Sequence, residues 1–420
     1  MYPISREGGI DIEIKPKYLV MVTASANNNK YYRMIPHGDS WTAEYGRVGG
    51  SPQRREYSLS QWEKKYREKV NKGYVDQSEL VEDLISVKPK TESKYKPIKN
   101  SVIAEIVERL QQMAHKAISD NYTVSSNKVT QAMVDEAQEV LTELINIEDL
   151  QKFNETLLKL FTVIPRKMST VSYYLANSND DYANIIKREQ DLLDVMSGQV
   201  FQKDVENSIE DTPNEEKEPV TILEALGLVF EECDQNDIVK IKSALGSCQD
   251  RFHQAWRVKN IRTNDRFENF VTSEGITNKK LLWHGSRNEN WWSIINTGLV
   301  LKPTNAIITG KLYGNGIYFA PKARKSLGYT SLNGSYWARG HENSGFMALM
   351  DVAYGIPYDV YDFDSKFHNL DYSSLQKFQK NANCLHAHAG ANIGYSSLKN
   401  DEIVIYKEEQ CTIRYLVELK

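Results

Sequence analysis

Residues 281–286 read Leu-Leu-Trp-His-Gly-Ser, an apolar run that ends in three polar or small residues. The interior of a core strand has no use for such residues, so the run predicts a buried strand that delivers them to a cleft. Two other apolar runs, Gly316–Ala320 and Asp401–Val404, carry Tyr318 and Glu402. A histidine, a tyrosine and a carboxylate on three separate strands favour chemistry over a purely structural role.

The residues around the first run suit a ligand such as a nicotinamide nucleotide. Gly285 has no Cβ, so its N–H and C=O can both pair with a primary amide, and the Ser286 hydroxyl can add a third contact. His284 can bond a ribose hydroxyl, and the rings of Tyr318 and Tyr329 can stack on the flat ring. Taken singly, each of these residues is explained as well by an ordinary place in a core or at a strand end.

A carboxylate completes this chemistry. Cleavage of the bond between ribose and nicotinamide develops oxocarbenium charge and requires an activated hydroxyl nucleophile. Glu402 is the candidate, because Ile403 and Ile405 alternate beside it and predict a core strand that would hold it rigidly. The alternative for this residue is a solvated surface glutamate.

The length and the charge distribution favour a modular protein. A chain of 420 residues exceeds one typical domain and allows two or three. Residues 1–100 carry a net charge of +5, residues 101–219 one of −11 and residues 220–420 one of +2. The basic first segment predicts contact with a polyanion, and ordinary solvated faces are the alternative.

Cysteine usage predicts a cytosolic or nuclear protein with reduced thiols. The four cysteines form no CxxC pair, no apolar leader follows a basic N-terminus, and charged residues interrupt every apolar run before it reaches the length of a membrane span. Cys384, His386 and His388 alternate, so a strand would place them on one face. A fourth ligand is not evident near them, and we therefore expect no metal.

Composition divides the chain into five stretches. Residues 1–87 combine alternating strands with one helix that begins at Ser58, and residues 100–203 carry apolar stripes at helical spacing. Residues 220–420 show short β-like runs between glycine-rich and asparagine-rich connections. Residues 88–99 and 204–219 are polar and contain proline, and they are interpreted as linkers. The predicted fold is a multidomain α+β protein: a small α+β domain, an all-α bundle and an antiparallel-rich β domain with a cleft.

The last of these domains resembles the catalytic domain of the poly(ADP-ribose) polymerase family. That domain carries a histidine-tyrosine-glutamate triad, which His284, Tyr318 and Glu402 match. The similarity covers about residues 220–420 and includes the runs LLWHGSR, TGKLYGNGIYFAPKARKS and NDEIVIYKEEQCTIRYLVEL.

The resemblance implies an NAD+ ADP-ribosyltransferase with NAD+ as its substrate. It implies that Gly285 and Ser286 contact the nicotinamide amide, that Tyr318 and Tyr329 bracket the ring, and that Lys325 and Ser326 line the same pocket wall. Glu402 would orient the acceptor nucleophile, and its presence implies that the product is a polymer.

The similarity extends upstream to a compact DNA-dependent member of the family. Residues 100–203 are similar to the helical regulatory domain, which blocks productive NAD+ binding until DNA is engaged. The run Tyr45-Gly46-Arg47-Val48-Gly49 looks like the signature of the WGR (Trp-Gly-Arg) domain, with Tyr45 in the place of the usual tryptophan. Val300 stands where relatives often have a basic residue, and Lys302 is the proposed substitute. The implied DNA contacts are Tyr45, Arg47, Lys30, Arg33, Arg54 and Arg55.

The sequence therefore predicts a DNA-break-activated NAD+ ADP-ribosyltransferase that builds poly(ADP-ribose) on itself and on other proteins. We expect a monomer with DNA strand breaks and acceptor proteins as partners and no membrane association. The chain has no dense Lys/Arg cluster, which favours a DNA-associated protein of a bacterial cytoplasm; in a eukaryote we expect the nucleus.

Two rival functions stay open at this point. The first is a catalytically weak scaffold that binds DNA ends, against which the intact triad argues. The second is a mono-ADP-ribosylating toxin, which usually carries an Arg-Ser-Glu set and a secretion signal that are not seen here.

Overall fold

The structure is a computed structural model that describes residues 4–7, 10–48, 50–78, 95–210, 220–301, 312–394 and 396–420. The chain forms two compact units. One contains Met1–Glu92 and Ala117–Val200, and the other contains Ser93–Lys116 and Phe201–Lys420. Most of the predicted linker 88–99 and the proposed substitute Lys302 lie outside the described residues.

The first unit begins with two antiparallel sheets. Strands β1 (Ile4–Glu7) and β2 (Ile10–Glu13) form a two-stranded sheet. The second sheet has the order β6-β5-β4-β3-β7, with β3 Lys17–Thr23, β4 Asn28–His37, β5 Ser40–Arg47, β6 Gln53–Ser58 and β7 Val75–Asp76. Strands β3 and β4 confirm the strands that were predicted from alternating apolar residues. Short hairpin connections explain why neighbouring strands are antiparallel.

Helix α1 (Trp62–Asn71) covers one face of this sheet and buries Trp62 against Trp41. The predicted start at Ser58 is wrong in detail. A 3₁₀ turn, Leu59–Gln61, precedes the helix, and the Ser58 side chain makes no capping hydrogen bond. The Ser58 hydroxyl instead forms a hydrogen bond with the Ser60 hydroxyl. The helix begins later than predicted because the backbone first makes the tighter 3₁₀ turn.

Residues 101–210, part of which belongs to the second unit, are mainly helical, as the apolar stripes predicted. Helices α2 (Ser101–Asn121), α3 (Gln131–Leu144), α4 (Leu150–Val163) and α5 (Tyr182–Glu210) follow one another. Thr130 and Asp149 cap α3 and α4 by accepting from backbone N–H groups. Helix α4 packs against β3, so the helical segment and the sheet share one core within the first unit.

Helices α2 and α5 each run from one compact unit into the other. Helix α5 continues to Glu210, so residues 204–210, which the acidic composition assigned to a linker, are helical. Acidic side chains are compatible with an exposed helix as well as with a linker, and composition alone does not distinguish these alternatives. Residues 211–219 lie outside the described residues.

The second unit contains two sheets. Their orders are β10-β12-β16-β9-β8 and β11-β15-β14-β13. The first is built from β8 Leu228–Glu232, β9 Phe252–Asn260, β10 Lys279–Gly285, β12 Gly345–Ala353 and β16 Cys411–Leu419. The second is built from β11 Ile317–Phe319, β13 Pro357–Asp362, β14 Cys384–Asn392 and β15 Glu402–Ile405. Among the strands that the structure describes here, β13 and β14 are the one parallel pair, which confirms the antiparallel-rich prediction.

In the described part of residues 220–420, these sheets are accompanied by the helices α6 Ile222–Leu226, α7 Gln235–Leu245, α8 Ile261–Ser273, α9 Trp291–Thr297, α10 Ala323–Leu327 and α11 Tyr372–Phe378. The sheets meet where Trp283 and Ala320 exchange two backbone hydrogen bonds of 2.9 and 3.0 Å. This junction brings the ends of β10 and β11 together. Throughout the described part of the chain, every helix is too short or too polar to cross a bilayer.

Candidate active site

The junction of β10 and β11 places His284 beside Tyr318. The Nδ1 atom of His284 lies 3.0 Å from the backbone oxygen of Tyr318. The rings of Trp291 and Phe319 meet the imidazole edge-on, at centroid distances of 6.4 and 5.8 Å. A carbonyl acceptor at Nδ1 favours the Nδ1–H tautomer, which leaves Nε2 as an acceptor for a ligand hydroxyl.

Gly285 follows at the end of β10, directly against Ser326 in α10. A Cβ built on Gly285 would overlap the backbone oxygen and carbonyl carbon of Ser326. Ser326 is buried, and its hydroxyl donates to the Trp283 oxygen at 3.1 Å. The atoms that a Cβ would meet belong to the backbone and cannot move aside easily, so only glycine fits at position 285.

Ser286 completes the same turn. Its Oγ accepts a hydrogen bond from the Asn290 side-chain amide at 3.0 Å, so the hydroxyl proton is left to donate. A hydroxyl held in this way can donate to an amide carbonyl, the group expected at this point of the cleft.

Glu402 opens β15 and forms a close ion pair with Lys325 of α10. The two side chains are only 15% and 14% exposed. Burial lowers the pKa of Lys325 to about 7, and the carboxylate of Asp401 opposes that shift. The carboxylate thus has a partner whose charge is lost near neutral pH.

The two tyrosines differ in their surroundings. The Tyr318 hydroxyl donates to the Gly314 oxygen at 3.1 Å and accepts from the Tyr313 N–H at 3.0 Å. Burial raises the pKa of Tyr318 well above its usual range. Tyr329 is 37% exposed, and burial of its remaining surface raises its pKa as well. Tyr318 is therefore fixed by the loop before it, whereas Tyr329 presents part of its ring to solvent.

The sequence reading missed one neighbour of Tyr329. The ring of Trp337 stacks on it at a centroid distance of 6.3 Å and an angle of 19°, and it is 59% exposed. The backbone N–H of Trp337 donates to the Gly328 oxygen at 2.9 Å, which fixes the loop against the end of α10. Two adjacent aromatics, Tyr336 and Trp337, in a polar run were the available signal, but the run has no period that assigns them to an element.

The structure thus gathers the predicted cleft residues in one place. Contacts lead from Tyr318 to His284 along β11 and β10, from Gly285 to Ser326, and from Lys325 of the same helix to Glu402. The site contains the Gly285 backbone, which can pair with an amide, the partly exposed ring of Tyr329, and a carboxylate next to a buried lysine. This set suits recognition of a flat carboxamide next to activation of a hydroxyl.

The basic residues proposed as DNA contacts do not share one environment. Arg33 lies opposite Glu44 in the sheet, and Glu44 lies opposite Arg54. Glu44 accepts from Arg54 at 2.9 Å and lies 3.8 Å from Arg33. Burial lowers the pKa of Arg33, and the Glu44 carboxylate opposes that shift. Both arginines therefore have an internal partner.

Tyr45 and Arg47 are also engaged within the first unit. The ring of Tyr45 stacks on Tyr32 at 5.6 Å. The Arg47 guanidinium donates to the backbone oxygens of Met168, at 3.3 Å, and Ser169, at 2.6 Å, in the helical segment. It also donates to the oxygens of Asn27. Arg47 thus links the sheet to the segment between α4 and α5.

Lys30, Arg54 and Arg55 are the exposed members of the predicted set, and of these Arg54 is paired with Glu44. The Arg55 guanidinium lies 5.2 Å from the ring centre of Tyr57. Val300, the departure noted in the sequence, is 46% exposed in the second unit. Lys30 and Arg55 are consequently the residues best placed to meet phosphate.

Comparison with known proteins adds two domain matches. Residues 235–420 match the poly(ADP-ribose) polymerase catalytic domain, and residues 16–81 match the WGR domain. The first match contains every predicted residue of the cleft, and the second contains every predicted DNA contact.

Individual relatives agree with these matches. Uncharacterized protein 101L of Invertebrate iridescent virus 6 is 34% identical over 186 residues, which are 43% of this chain and 76% of the viral protein. Poly(ADP-ribose) polymerase 2 of Arabidopsis thaliana is 30% identical over 40% of this chain, and its human namesake is 30% identical over 35%. The matched stretch covers 27% of the length of each of these two relatives.

Proposed function

The chain belongs to the poly(ADP-ribose) polymerase family and joins its catalytic domain to a WGR domain, and from this premise we propose that it is a DNA-break-activated polymerase of ADP-ribose. Its catalytic domain is an NAD+ ADP-ribosyltransferase, and NAD+ is the substrate. Polymer synthesis, activation by DNA and the identity of the acceptors are the proposed parts. Relatives named poly(ADP-ribose) polymerase 2 support the first of these parts.

The observation that carries the proposal is that one helix, α10, contacts Gly285 through Ser326 and Glu402 through Lys325. We propose that the nicotinamide amide pairs with the Gly285 backbone and receives a hydrogen bond from the Ser286 hydroxyl. The ring then lies against Tyr329. His284 is placed to hold a ribose hydroxyl through Nε2, since its Nδ1 faces the Tyr318 oxygen.

In the proposed transfer, an acceptor hydroxyl attacks the anomeric carbon of the ribose. The bond from that carbon to nicotinamide breaks, and nicotinamide leaves with the bonding electrons. Glu402 receives the hydroxyl proton and orients the incoming oxygen. When the acceptor is an ADP-ribose unit already attached to protein, the same step extends a polymer.

DNA activation is proposed to start at the exposed basic residues Lys30 and Arg55. Arg47 contacts the helical segment directly, so a change in the sheet has a physical route to residues 168–169. We propose the protein itself and other proteins as acceptors, a monomer as the active form, and a DNA-associated location in a bacterial cytoplasm or a nucleus.

Nicotinamide release from NAD+ with and without nicked DNA tests the proposal, together with gel analysis of the products. We expect strong stimulation by DNA and long polymers. Stimulation should fall steeply between about 50 and 200 mM salt if several phosphates are contacted. Equal release of nicotinamide in all these conditions would show that DNA does not activate the enzyme. A lack of release would favour the scaffold function.

Glu402→Gln separates binding from chain growth. The amide keeps the shape of the side chain but accepts no proton, so polymers should disappear while NAD+ still binds. Glu409→Gln, at a described position outside the cleft contacts, is the matched control and should leave polymers intact. Long polymers made by Glu402→Gln would contradict the role assigned to this carboxylate.

A further inference from the structure

A cluster of histidine and carboxylate side chains lies on the second sheet, apart from the cleft contacts described above. Asp359 of β13 stands opposite His386 of β14 in the parallel ladder, and His388 follows two residues later. One ligand atom from each of these three residues lies within 4.8 Å of the other two. Among the described residues, this is the only group of three or more such side chains with that spacing.

The individual distances suit a small cation. The Nε2 atom of His388 lies 2.7 Å from Oδ1 of Asp359, and the Nδ1 atom of His386 lies 3.8 Å from the same oxygen. Ligand atoms of a tetrahedral zinc site are roughly 3.3 Å apart, because each lies about 2.0–2.1 Å from the ion. The distances of the two nitrogens from Oδ1 of Asp359 lie on either side of this spacing, and the two histidine ligand atoms lie within 4.8 Å of each other.

The rings are already fixed in position. The imidazoles of His386 and His388 stack with a centroid distance of 3.9 Å, and the ring of Tyr361 stacks on His388 at 4.5 Å. Strand β14 holds both histidines on the same face, because they are two residues apart. Ordered ligands lose little freedom on binding an ion, which favours a site of useful affinity.

A second carboxylate lies behind His386. The Nε2 atom of His386 is buried and makes no hydrogen bond within the described part of the chain. The nearest carboxylate oxygen is Oδ2 of Asp401, at 3.5 Å. Metal-bound histidines commonly direct their second nitrogen to a carboxylate, which fixes the tautomer and raises the basicity of the ligand.

We propose that Asp359, His386 and His388 bind a divalent transition-metal ion of the zinc type, and that Asp401 orients His386. Two imidazoles and one carboxylate are ligands that Zn²⁺ accepts, and a water molecule completes four-coordination. The carboxylates of Asp359 and Asp401 offset the charge of the ion, whereas Lys280, whose Nζ lies over the Tyr354 ring at 3.4 Å, opposes it.

The proposal revises the interpretation of the motif Cys384-x-His386-x-His388. Cys384 is fully buried, and its thiol donates to the Tyr354 oxygen at 3.2 Å. The third ligand comes from β13 instead. Asp359 is 27 positions before His386, and the parallel pairing that joins them has no signature in either run.

The position of the site gives it a structural role. His386 pairs with Ile403 and the next residue, Ala387, pairs with Glu402, so the side chains of His386 and Glu402 lie on opposite faces of the sheet. Asp401 also accepts a hydrogen bond from the Ala389 N–H at 2.7 Å, which ties it to β14. A bound ion would fasten β13, β14 and the start of β15 from the face opposite the cleft. It would not take part in ADP-ribose transfer.

One existing hydrogen bond competes with the ion. The Tyr354 hydroxyl lies 2.8 Å from Nδ1 of His386 and must give up this contact when a metal binds there. Tyr354→Phe removes the competitor without changing the ring. It should therefore bind the ion at least as tightly as the natural protein.

Titration of the untagged full-length protein with Zn²⁺ against a chelating dye tests the site. We expect one ion per chain. His388→Ala and Asp359→Ala should abolish that binding, and Asp401→Asn should weaken it by about 10–100-fold. His341→Ala, which removes an 81% exposed histidine of the same unit, is the matched control and should change nothing.

The spectrum with Co²⁺ identifies the ligands independently. Tetrahedral nitrogen and oxygen ligation gives visible d–d bands, and a cysteine ligand adds a strong near-ultraviolet thiolate-to-cobalt band. We expect the former without the latter, and no change in Cys384→Ser. The proposal is overturned by a lack of Zn²⁺ binding, by binding that survives His388→Ala and Asp359→Ala, by weaker binding in Tyr354→Phe, or by a thiolate band. None of these measurements depends on transferase activity.

Discussion

The pair Lys325–Glu402 combines an unusual lysine with the carboxylate on which the transfer depends. Burial lowers the pKa of Lys325 to about 7, whereas an exposed lysine titrates near 10.4. A base with a lowered pKa loses its proton at a lower pH. The ion pair with Glu402 is therefore present below about pH 7 and is lost as the pH rises through that value. Above it, the carboxylate is free to contact an acceptor hydroxyl.

We expect nicotinamide release to rise with pH through about 7 for this reason. Lys325→Met leaves Glu402 without a charged partner at every pH, so the rise should disappear from the profile of kcat. Lys322→Met changes an exposed lysine just before α10, and in this variant the rise of kcat with pH should remain. Initial rates between pH 5.5 and 9 provide the measurement. An unchanged rise in Lys325→Met would show that another group controls it.

At the scale of elements, the sequence predicted those strands in which apolar residues predominate. Strands β10, β12, β15 and β16 are of this kind, and so are the four long helices with apolar stripes. Strands β8, β9 and β13 were missed because charged residues interrupt their patterns, as in Phe-Glu-Glu at the end of β8. Their positions depend on pairing with distant partners, which short-range patterns do not encode.

The site was predictable to the same extent. His284, Gly285, Tyr318 and Glu402 lie on or beside predicted strands, and the structure brings their elements together. Trp337 was not predictable, because a loop residue has no period and its stacking on Tyr329 depends on how the loop returns to α10. The contact of Lys325 with Glu402 was also invisible, since 77 positions separate them.

Arg47 shows how an element can change the meaning of a motif. The motif predicted a phosphate contact, whereas strand β5 directs the guanidinium to the backbone oxygens of residues 168 and 169. Its hydrogen bonds hold the helical segment to the sheet. We infer that Arg47 transmits the effect of DNA more than it binds DNA.

Arg47→Ala should therefore reduce the stimulation of nicotinamide release by saturating DNA. It should leave the slope of log Kd against log salt unchanged. Arg55→Ala is the contrasting variant, because the exposed side chain of Arg55 is available to phosphate. This variant should lower the magnitude of the slope by about 1, and saturating DNA should still stimulate it fully. Fluorescence anisotropy and activity assays measure the two quantities. The reverse pattern would return Arg47 to the DNA contact surface.

At the scale of the molecule, the two compact units do not coincide with the predicted domain boundaries. The first part of α2 and the last part of α5 belong to the unit that contains the catalytic sheets. Arg109 of α2 forms a two-pronged ion pair with Glu418 of β16, with distances of 2.6 and 3.2 Å. Gln202 of α5 accepts a hydrogen bond from the Trp292 indole at 2.8 Å. These helix ends are structural parts of the catalytic unit.

Glu418 makes the first of these contacts essential for stability. Its side chain is fully buried. Burial alone would raise its pKa, but the hydrogen bonds and charge of Arg109 hold the pKa below its usual value. The stability that this pair supplies is present above the unfolded pKa of about 4.3 and is lost as the pH falls further. Removal of Arg109 would leave a buried charge without its partner, at a cost on the order of 3 kcal/mol.

Two deletions that differ only at these helix ends should therefore behave differently. Replacement of residues 117–200 by a flexible linker keeps Arg109 and Gln202. We expect a folded protein that releases nicotinamide without DNA, since it lacks most of the helical segment that is predicted to block NAD+ binding. Replacement of residues 100–203 removes both contacts and should lower the free energy of unfolding of the catalytic unit by roughly 3 kcal/mol.

Urea unfolding at pH 7 and nicotinamide release without DNA measure these outcomes. Glu418→Gln, introduced into the larger deletion, removes the unpaired charge and should restore much of the lost stability. If the smaller deletion is folded but still requires DNA, residues 117–200 do not inhibit the enzyme. If both deletions unfold at the same urea concentration, the helix ends that carry Arg109 and Gln202 do not stabilise the catalytic unit.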